Sequence, residues 1–300
     1  MISVIITTYQ REPYFVDRAI NSVLCQTYKD IEIIVVDDSP ADYSLRKDVE
    51  RIVLERDKSN SVSIRYIAHD RNKGACAARN TGMQNAKGEY VAYLDDDDEW
   101  LPEKLDKQIK VFNEEDVALV YCGRICKNDV SGVSTIEKTG YYKGYVFEKL
   151  LYINFVGSTS FPLIKTSCLR NVGGFDVEMQ SAQDVDVWLR IAQKYQIGYV
   201  SEPLVIYHMH GGEQITSNPQ KKIMGLEQLN KKYQAYLDKD PDLWHRRNIF
   251  ITPYYAMAGN KRKALSIWLA CVYKCPGKMK DNIKYLRLIM KGKKKNKNGR

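Results

Sequence analysis

No stretch of the 300-residue sequence approaches the ~18–20 consecutive apolar residues that a membrane-spanning helix needs. The apolar run Ala264 to Tyr273 is too short to cross a bilayer. The opening residues, Met1-Ile2-Ser3-Val4-Ile5-Ile6, lack a basic n-region and a small-residue cleavage site, so a core strand is expected there rather than a secretion leader. The seven cysteines contain no Cys-x-x-Cys. Cys122/Cys126 and Cys271/Cys275 are each four apart, with no second pair or His pair at zinc-site spacing. Reduced, mostly buried thiols of a cytoplasmic protein are therefore expected. There is no Gly-x-Gly-x-x-Gly, and Lys87-Gly88-Glu89 stands where a phosphate loop needs Gly-Lys-Ser/Thr, which argues against dinucleotide and ATP sites. Acidic residues are scarce only at one end. Residues 220–300 hold 5 acidic and 21 basic residues, whereas residues 1–219 hold 32 acidic and 25 basic. The net charge of +9 thus belongs to a C-terminal part suited to an anionic surface. No aromatic-basic module or zinc finger accompanies that charge, so a nucleic-acid partner is not expected.

The first 100 residues alternate short apolar runs with helical patterns. Strands are expected at 3–9, 31–36, 63–67 and 90–94, and helices at 14–27, 42–57 and 74–86. This rhythm predicts an α/β fold with a mainly parallel, doubly wound sheet, in which ligands collect at the carboxyl ends of the strands. Beyond residue 100 the pattern predicts helices at 103–113, 146–152 and 184–196, strands at 117–123 and 157–164, and turns over 128–144. The segment 220–300 reads as helical, and its last ten residues, Lys291 to Arg300, as a disordered low-complexity tail.

Each of the first four strands ends in a polar cluster: Thr7-Thr8-Tyr9, Asp37-Asp38-Ser39, His69-Asp70-Arg71-Asn72, and Asp95-Asp96-Asp97-Asp98. Four such clusters at one sheet edge outline a site. Adjacent carboxylates repel one another, and folding does not require them. Asp98 can cap a helix that starts near Pro102, while the inner members suit a hard divalent cation such as Mg²⁺ or Mn²⁺ that also binds phosphate oxygens. Asp37 or Asp38 can form an Asx-turn before Pro40.

Val4-Ile5-Ile6-Thr7-Thr8-Tyr9, Val35-Val36-Asp37-Asp38-Ser39, Asn72-Lys73-Gly74 with Ala78-Arg79-Asn80-x-Gly82, and Leu94-Asp95-Asp96-Asp97-Asp98-x-Trp100 occur in that order. The series resembles the successive signatures of the inverting family 2 glycosyltransferases, nucleotide-diphospho-sugar transferases of the GT-A fold, over about residues 2–210. The resemblance implies a nucleotide-sugar donor, usually a UDP-sugar. Asp38 corresponds to the residue that hydrogen-bonds uracil, and Thr7, Thr8 and Tyr9 to those lining the base. Asn72 and Lys73 correspond to the loop beneath ribose and diphosphate. Arg79 is expected to pair with the phosphates or with a nearby acid. The quartet aligns as the Asp-x-Asp motif: Asp97 is the expected metal ligand, Asp95 the donor or water-mediated contact, and Asp96 an alternative register.

On the acceptor side, Gln183-Asp184-Val185-Asp186-Val187-Trp188-Leu189-Arg190 resembles the segment that carries the catalytic base, with Gln183 where the family commonly has Glu. The resemblance makes Asp184 the base, which takes a proton from the attacking sugar hydroxyl. Tyr207-His208-Met209-His210 resembles the motif that closes the catalytic domain, with His208 in place of Arg. His210 is expected as a second metal ligand or a diphosphate contact, and the missing Arg's phosphate contact falls to His208 or to Lys221/Lys222.

The expected organisation is a catalytic domain over 1–219, with a nucleotide-sugar half at about 1–100 and an acceptor half at about 101–219, then a helical basic appendage over 220–300. The expected activity is metal-dependent, inverting transfer from a UDP-sugar to a saccharide or lipid-linked acceptor in cell-surface polysaccharide synthesis. The expected location is cytoplasmic, with residues 278–300 touching the anionic inner face of the membrane. The competing readings are a sugar-phosphate nucleotidyltransferase, which normally shows a Gly-rich N-terminal loop, and a non-catalytic nucleotide-sugar or nucleic-acid binding protein.

Overall fold

The computed structural model describes residues 1–59, 61–137, 141–209 and 218–291. Strands β1 (Ile2–Thr8), β2 (Ile31–Asp37), β3 (Ser63–Ala68) and β4 (Tyr90–Asp95) run parallel in the order β3-β2-β1-β4. They are joined by helices α1 (Pro13–Leu24), α2 (Arg46–Ser59) and α3 (Ala75–Asn85). β1 and β2 are mostly apolar because both of their faces are covered, and their interior polar residues, Ser3 and Glu32, hydrogen-bond each other. Val4 and Ile6 share one core with Val16, Ala19, Ile20 and Val23 of α1 and with Val49 and Val53 of α2. Ile5 points to the other face, where α3 lies so close that a Cβ on Gly82 would meet Ile5 Cγ2 at 2.3 Å. The helices therefore press on both sides, and the free carboxyl ends of the strands are left to carry the polar clusters.

The rest of this unit holds β5 (Glu99–Trp100), α4 (Lys104–Glu114), β6 (Leu119–Asn128), β7 (Ser134–Glu137), α5 (Phe147–Tyr152), β8 (Leu163–Lys165), α6 (Thr166–Asn171), α7 (Gln183–Ala192) and β9 (Ile197–Met209). The sheet continues from β4 through β8, β6 and β9 to β5, with β7 paired to β6. β8 is antiparallel to both β4 and β6, so the sheet is parallel through its first four strands and mixed beyond them. Three expectations change. The strand expected at 157–164 shrinks to Leu163–Lys165, because Ser158, Thr159 and Ser160 turn their polar groups to the end of β4 instead of to a ladder. The turn region 128–144 contains the exposed strand β7. Asp98 does not open a helix: Glu99 and Trp100 pair with Ile206 and Val205 of β9, and the helix begins at Lys104.

By contact density the chain forms two units, Met1–Val177 with Asp184–Gly211, and Glu178–Gln183 with Gly212–Arg300. The described part of the second unit is helical: α8 (Pro219–Lys232), α9 (Gln234–Leu237), α10 (Pro241–Met257), α11 (Lys261–Lys274), a 3₁₀ turn (Pro276–Lys278) and α12 (Met279–Lys291). Asn218, Asp240 and Asn260 cap α8, α10 and α11 by accepting backbone N–H groups that the helix leaves unpaired. Gly225 of α8 abuts Ser181, whose carbonyl oxygen would lie 2.5 Å from an added Cβ. Gln228 accepts from the Gln180 N–H and donates to the Glu178 carbonyl at 3.0 and 2.8 Å, which ties 178–183 to the helices.

Lys104 is buried at the start of α4, with Nζ 3.9 Å from the Trp100 ring centroid and donating to Gln108 Oε1 at 2.9 Å. Burial pulls its pKa down to about 8, against a smaller opposing pull from Cys122. Because the folded pKa lies below the unfolded one, the unfolded chain binds more protons between pH 8 and the ordinary lysine range, and stability contributed through Lys104 rises with pH across that window. In urea unfolding, the wild type is expected to gain stability relative to Lys104→Met as pH climbs from about 8 to about 10. A pH-independent difference would show that Lys104 stays charged in the fold.

Candidate active site

β1 and β2 end side by side, with Thr8 opposite Asp37. Thr7 is half-buried, Thr8 is buried and Tyr9 is exposed beyond them. Gln10 follows at φ 47°, a left-handed conformation uncommon for a side-chain-bearing residue, held by its N–H donating to Ser39 Oγ at 2.7 Å. The fully buried Asp37 forms the Asx-turn, accepting from Ser39 N–H at 2.8 Å and from the Tyr66 hydroxyl at 2.7 Å. Asp38 Oδ1 lies 2.7 Å from His69 Nδ1 and accepts Lys73 N–H at 2.8 Å, while Oδ2 accepts Gly74 N–H at 2.8 Å. Asp38 thus shapes the 72–74 loop, and its four lone-pair positions exceed these three bonds by one. His69 is part of this arrangement, with Nε2 3.0 Å from Thr81 Oγ1.

Asn72 and Lys73 are exposed on that loop. Asn72 Oδ1 accepts Gly74 N–H at 2.9 Å, and Lys73 Nζ pairs with Asp70 at 2.9 Å. Arg79 donates to Asp95 Oδ1 at 2.8 Å and lies 5.5 Å from the Phe175 ring centroid. Burial opposes its charge, but Asp95 and, further down, Asp184 overcome this and raise its pKa above the usual arginine value. Of the two partners expected for Arg79, the structure provides the acid.

The quartet is held by three arginines. Asp95 receives Arg79 on one side and the Thr159 hydroxyl on the other, at 3.0 Å from Oδ1 and 3.1 Å from Oδ2, and its N–H donates to Ser160 Oγ at 3.1 Å. Arg11 donates to Asp96 Oδ1 at 3.0 Å and to Asp97 Oδ2 at 2.9 Å. Arg18 donates to the Asp97 carbonyl at 2.7 Å. Burial pushes the Asp96 carboxyl up to about 6, with Arg11 pulling the other way. Asp98 is buried, and desolvation together with Asp95 and Asp97 holds its pKa well above the usual range, while His208 N–H donates to its Oδ1 at 3.3 Å. Asp97 is the more accessible of the central pair, its side chain 28% exposed against 7% for Asp96.

Asp184 lies in the first turn of α7, half-buried, 3.5 Å from Asn154 Nδ2. Asn154 also donates to the Gly157 carbonyl at 3.3 Å, and Trp188 Nε1 donates to the same oxygen at 3.1 Å. Loop 154–160 therefore bonds Asp184 at one end and Asp95 at the other. Its residues Asn154, Ser158, Thr159 and Ser160 were not legible as site residues; the cluster of small polar residues after Gly157 was the available signal, and it resembled a strand. Trp188 is fully buried and part of the core. Asp186 is fully buried and pairs with Arg190 at 2.8 Å, a structural i,i+4 contact. Ala182, just ahead of α7, has φ 56°, a second left-handed side-chain-bearing residue.

His208 cannot take over a phosphate contact as expected: it is buried, with Nδ1 2.7 Å from Asp129 and Nε2 2.8 Å from Glu99. His210 lies outside the described residues. Among the described residues no group of three or more His, Cys, Asp or Glu side chains is arranged to hold a metal ion by itself. The donor chemistry nevertheless suits a hard cation: Asp95, Asp96 and Asp97 present only oxygen, and the point between Asp96 and Asp97 already attracts the Arg11 guanidinium. All seven cysteines are free, five of them buried.

A parallel β-α-β half with carboxylates at its carboxyl edge, continued by a mixed sheet that carries an acidic helix start, is the GT-A arrangement of a glycosyltransferase. Residues 3–172 match the family model described as Glycosyl transferase family 2. WcaA of Escherichia coli (strain K12), whose name provisionally makes it a colanic acid biosynthesis glycosyl transferase, is 32% identical over 253 residues, covering 80% of this chain and 83% of WcaA. An uncharacterized glycosyltransferase of Rickettsia felis is 30% identical over 244 residues, covering 81% of this chain but only 38% of its own length. The fold is similar to that of residues 1–349 of S. aureus TarS, crystallised with UDP-GlcNAc, with a TM-score of 0.61 at 19% identity, covering 96% of this chain and 90% of that one. The chain belongs to glycosyl transferase family 2.

The Arg79–Asp95 pair is nearly desolvated on the arginine side, 12% exposed against 28%. Arg79→Met is expected to lower the unfolding free energy by about 2–3 kcal/mol, because it strands Asp95 among like charges. Arg51→Met, which removes an exposed pair with Asp48, is expected to change it by less than about 0.5 kcal/mol. Equal effects in guanidinium titrations would contradict the structural weight given to the buried pair.

Proposed function

We propose that the chain moves a sugar from a UDP-sugar to a hydroxyl of a saccharide or lipid-linked acceptor with inversion, in the synthesis of cell-surface polysaccharide. The observation that carries this reading is loop 154–160, which bonds both Asp184 and Asp95 and so ties the candidate base to the candidate donor site. The donor class is supported by the fold's likeness to TarS, which has been crystallised with UDP-GlcNAc and with UDP. The polysaccharide context is supported by the likeness to WcaA. The chain spans only 38% of the length of the Rickettsia felis relative.

In this reading Thr7, Thr8 and Tyr9 line the base, and the spare lone pair of Asp38 accepts the uracil imide N–H. Asn72 and Lys73 flank the ribose and diphosphate, where the exposed Lys73 exchanges Asp70 for a phosphate. Asp97, with Asp95 and Asp96 beside it, would hold Mn²⁺ or Mg²⁺ in place of the Arg11 guanidinium that now bridges Asp96 and Asp97. A bound cation supplies positive charge to the departing diphosphate. Asp184 accepts the acceptor hydroxyl proton as that oxygen attacks the anomeric carbon, while the bond from that carbon to the diphosphate breaks on the opposite face. The enzyme acts in the cytoplasm, at the inner face of the membrane where a lipid-linked acceptor resides.

Asp184→Asn is expected to lower transfer roughly 10²–10⁴-fold with donor KM nearly unchanged. Undiminished turnover in a radiolabelled-sugar assay would remove Asp184 as the base. UDP with Mn²⁺ is expected to raise the melting temperature of the wild type, since a ligand bound only by the folded state stabilises it. The increment from Mn²⁺ is expected to vanish in Asp97→Ala, and its persistence there would move the cation elsewhere.

A further inference from the structure

α12 is fixed in rotation by its inward residues. Asn282 and Ile289, two turns apart, are both fully buried. Asn282 Oδ1 lies 2.8 Å from His245 Nε2, its carbonyl accepts Trp268 Nε1–H at 2.8 Å, and Ile289 packs with Ala256 and Ala264. With that face set, a 3.6-residue repeat places Met279, Ile283 and Met290 on one outward line, at i, i+4 and i+11. They are 53%, 44% and 62% exposed, while Leu288, 41% exposed, lies off this line. Lys280, Lys284, Arg287 and Lys291 follow the same spacing on the adjacent line, and all four are exposed. Asp281 is the single acidic residue of the helix, and it lies on neither line.

We infer that this face of α12 docks on an anionic lipid bilayer, with the helix in the plane of the surface. A polyanion such as nucleic acid would neutralise the four cations but leave the apolar line in water. A hydrophobic protein groove would cover the apolar line but leave the cations without counter-charge. A bilayer of anionic lipid meets both: the three apolar side chains enter the acyl boundary, and the cations beside them remain among the phosphates. The sequence adds Lys293, Lys294, Lys295, Lys297 and Arg300 just beyond the helix, so the positive charge continues in the same direction along the chain. The inference rests on the peripheral placement proposed above and is independent of the donor and base assignments.

The test uses the full chain and sedimentation with vesicles of phosphatidylcholine alone or with one quarter phosphatidylglycerol. Binding to the anionic vesicles only, weakened by salt, is expected. Lys284→Ser with Arg287→Ser is expected to lower the partition coefficient by about thirtyfold, near fivefold for each charge removed. Ile283→Asp with Met290→Asp is expected to abolish it, although both positions are exposed and the fold, followed by circular dichroism, stays intact. Ile283→Trp is expected to shift its emission to the blue on anionic vesicles. No binding to anionic vesicles, equal binding to neutral ones, or full binding by the Asp variant overturns the inference, as does an unshifted emission from Ile283→Trp. So does duplex DNA that displaces the protein completely from the vesicles. Asp184→Asn is expected to bind vesicles like the wild type, so a failed donor or base assignment leaves this result readable.

Discussion

Like-charge repulsion at the end of β4 is the constraint around which the catalytic unit is arranged. Four consecutive carboxyl groups emerge where a buried strand leaves the core, and each is balanced differently. Asp95 has Arg79, Asp96 and Asp97 share Arg11, and Arg18 binds the Asp97 carbonyl. Asp98 lies deepest, where burial and the neighbouring Asp95 and Asp97 raise its pKa well above the usual carboxylate range. These guanidinium groups come from the β1–α1 loop, from α1 and from α3, so the charge balance of one loop binds together elements far apart in sequence. The helices that cover the sheet are therefore also the source of the counter-charge at its edge.

The same loop depends on neutral dipoles from a second direction. Thr159 reaches both oxygens of Asp95, and Ser160 takes its N–H while its own carbonyl accepts Trp100 Nε1–H at 2.9 Å. Trp100 in turn lies under the buried Lys104. A chain of contacts thus runs from the core of α4 to the strand-end carboxylate, in a region where an unpaired polar group carries a large penalty.

The parallel half of the fold was legible because period and burial agree there: β1 and β2 are covered on both faces and read as mostly apolar runs, and α1 has a one-sided stripe. The strand-end clusters were legible for the same reason, since a polar run that directly follows such a strand has little choice of position. Less could be read after residue 100, where β8 is three residues long and the preceding loop is defined by side-chain bonds to Asp95 that have no sequence period. Arg11 and Arg18 passed unremarked because a basic residue near a helix start usually faces solvent; only the folded loop brings them onto the quartet. His208 was one of two readings for the phosphate contact of the missing Arg, Lys221/Lys222 being the other, but its position on β9 places it between Asp129 and Glu99. The membership of 178–183 in the C-terminal unit had no sequence signal, because it rests on the backbone approach that Gly225 permits.

Loop 154–160 has one more consequence. It is a short, hydrogen-bonded segment anchored at two carboxylates, with Gly157 at φ 89° between them and its carbonyl held by Trp188. A ligand that reorients the loop at Asp95 must change its free energy at Asp184, and thermodynamic linkage makes the reverse change equal. In the proposed reading, donor and acceptor affinities are coupled through the seven residues of that segment, by the same factor in either direction.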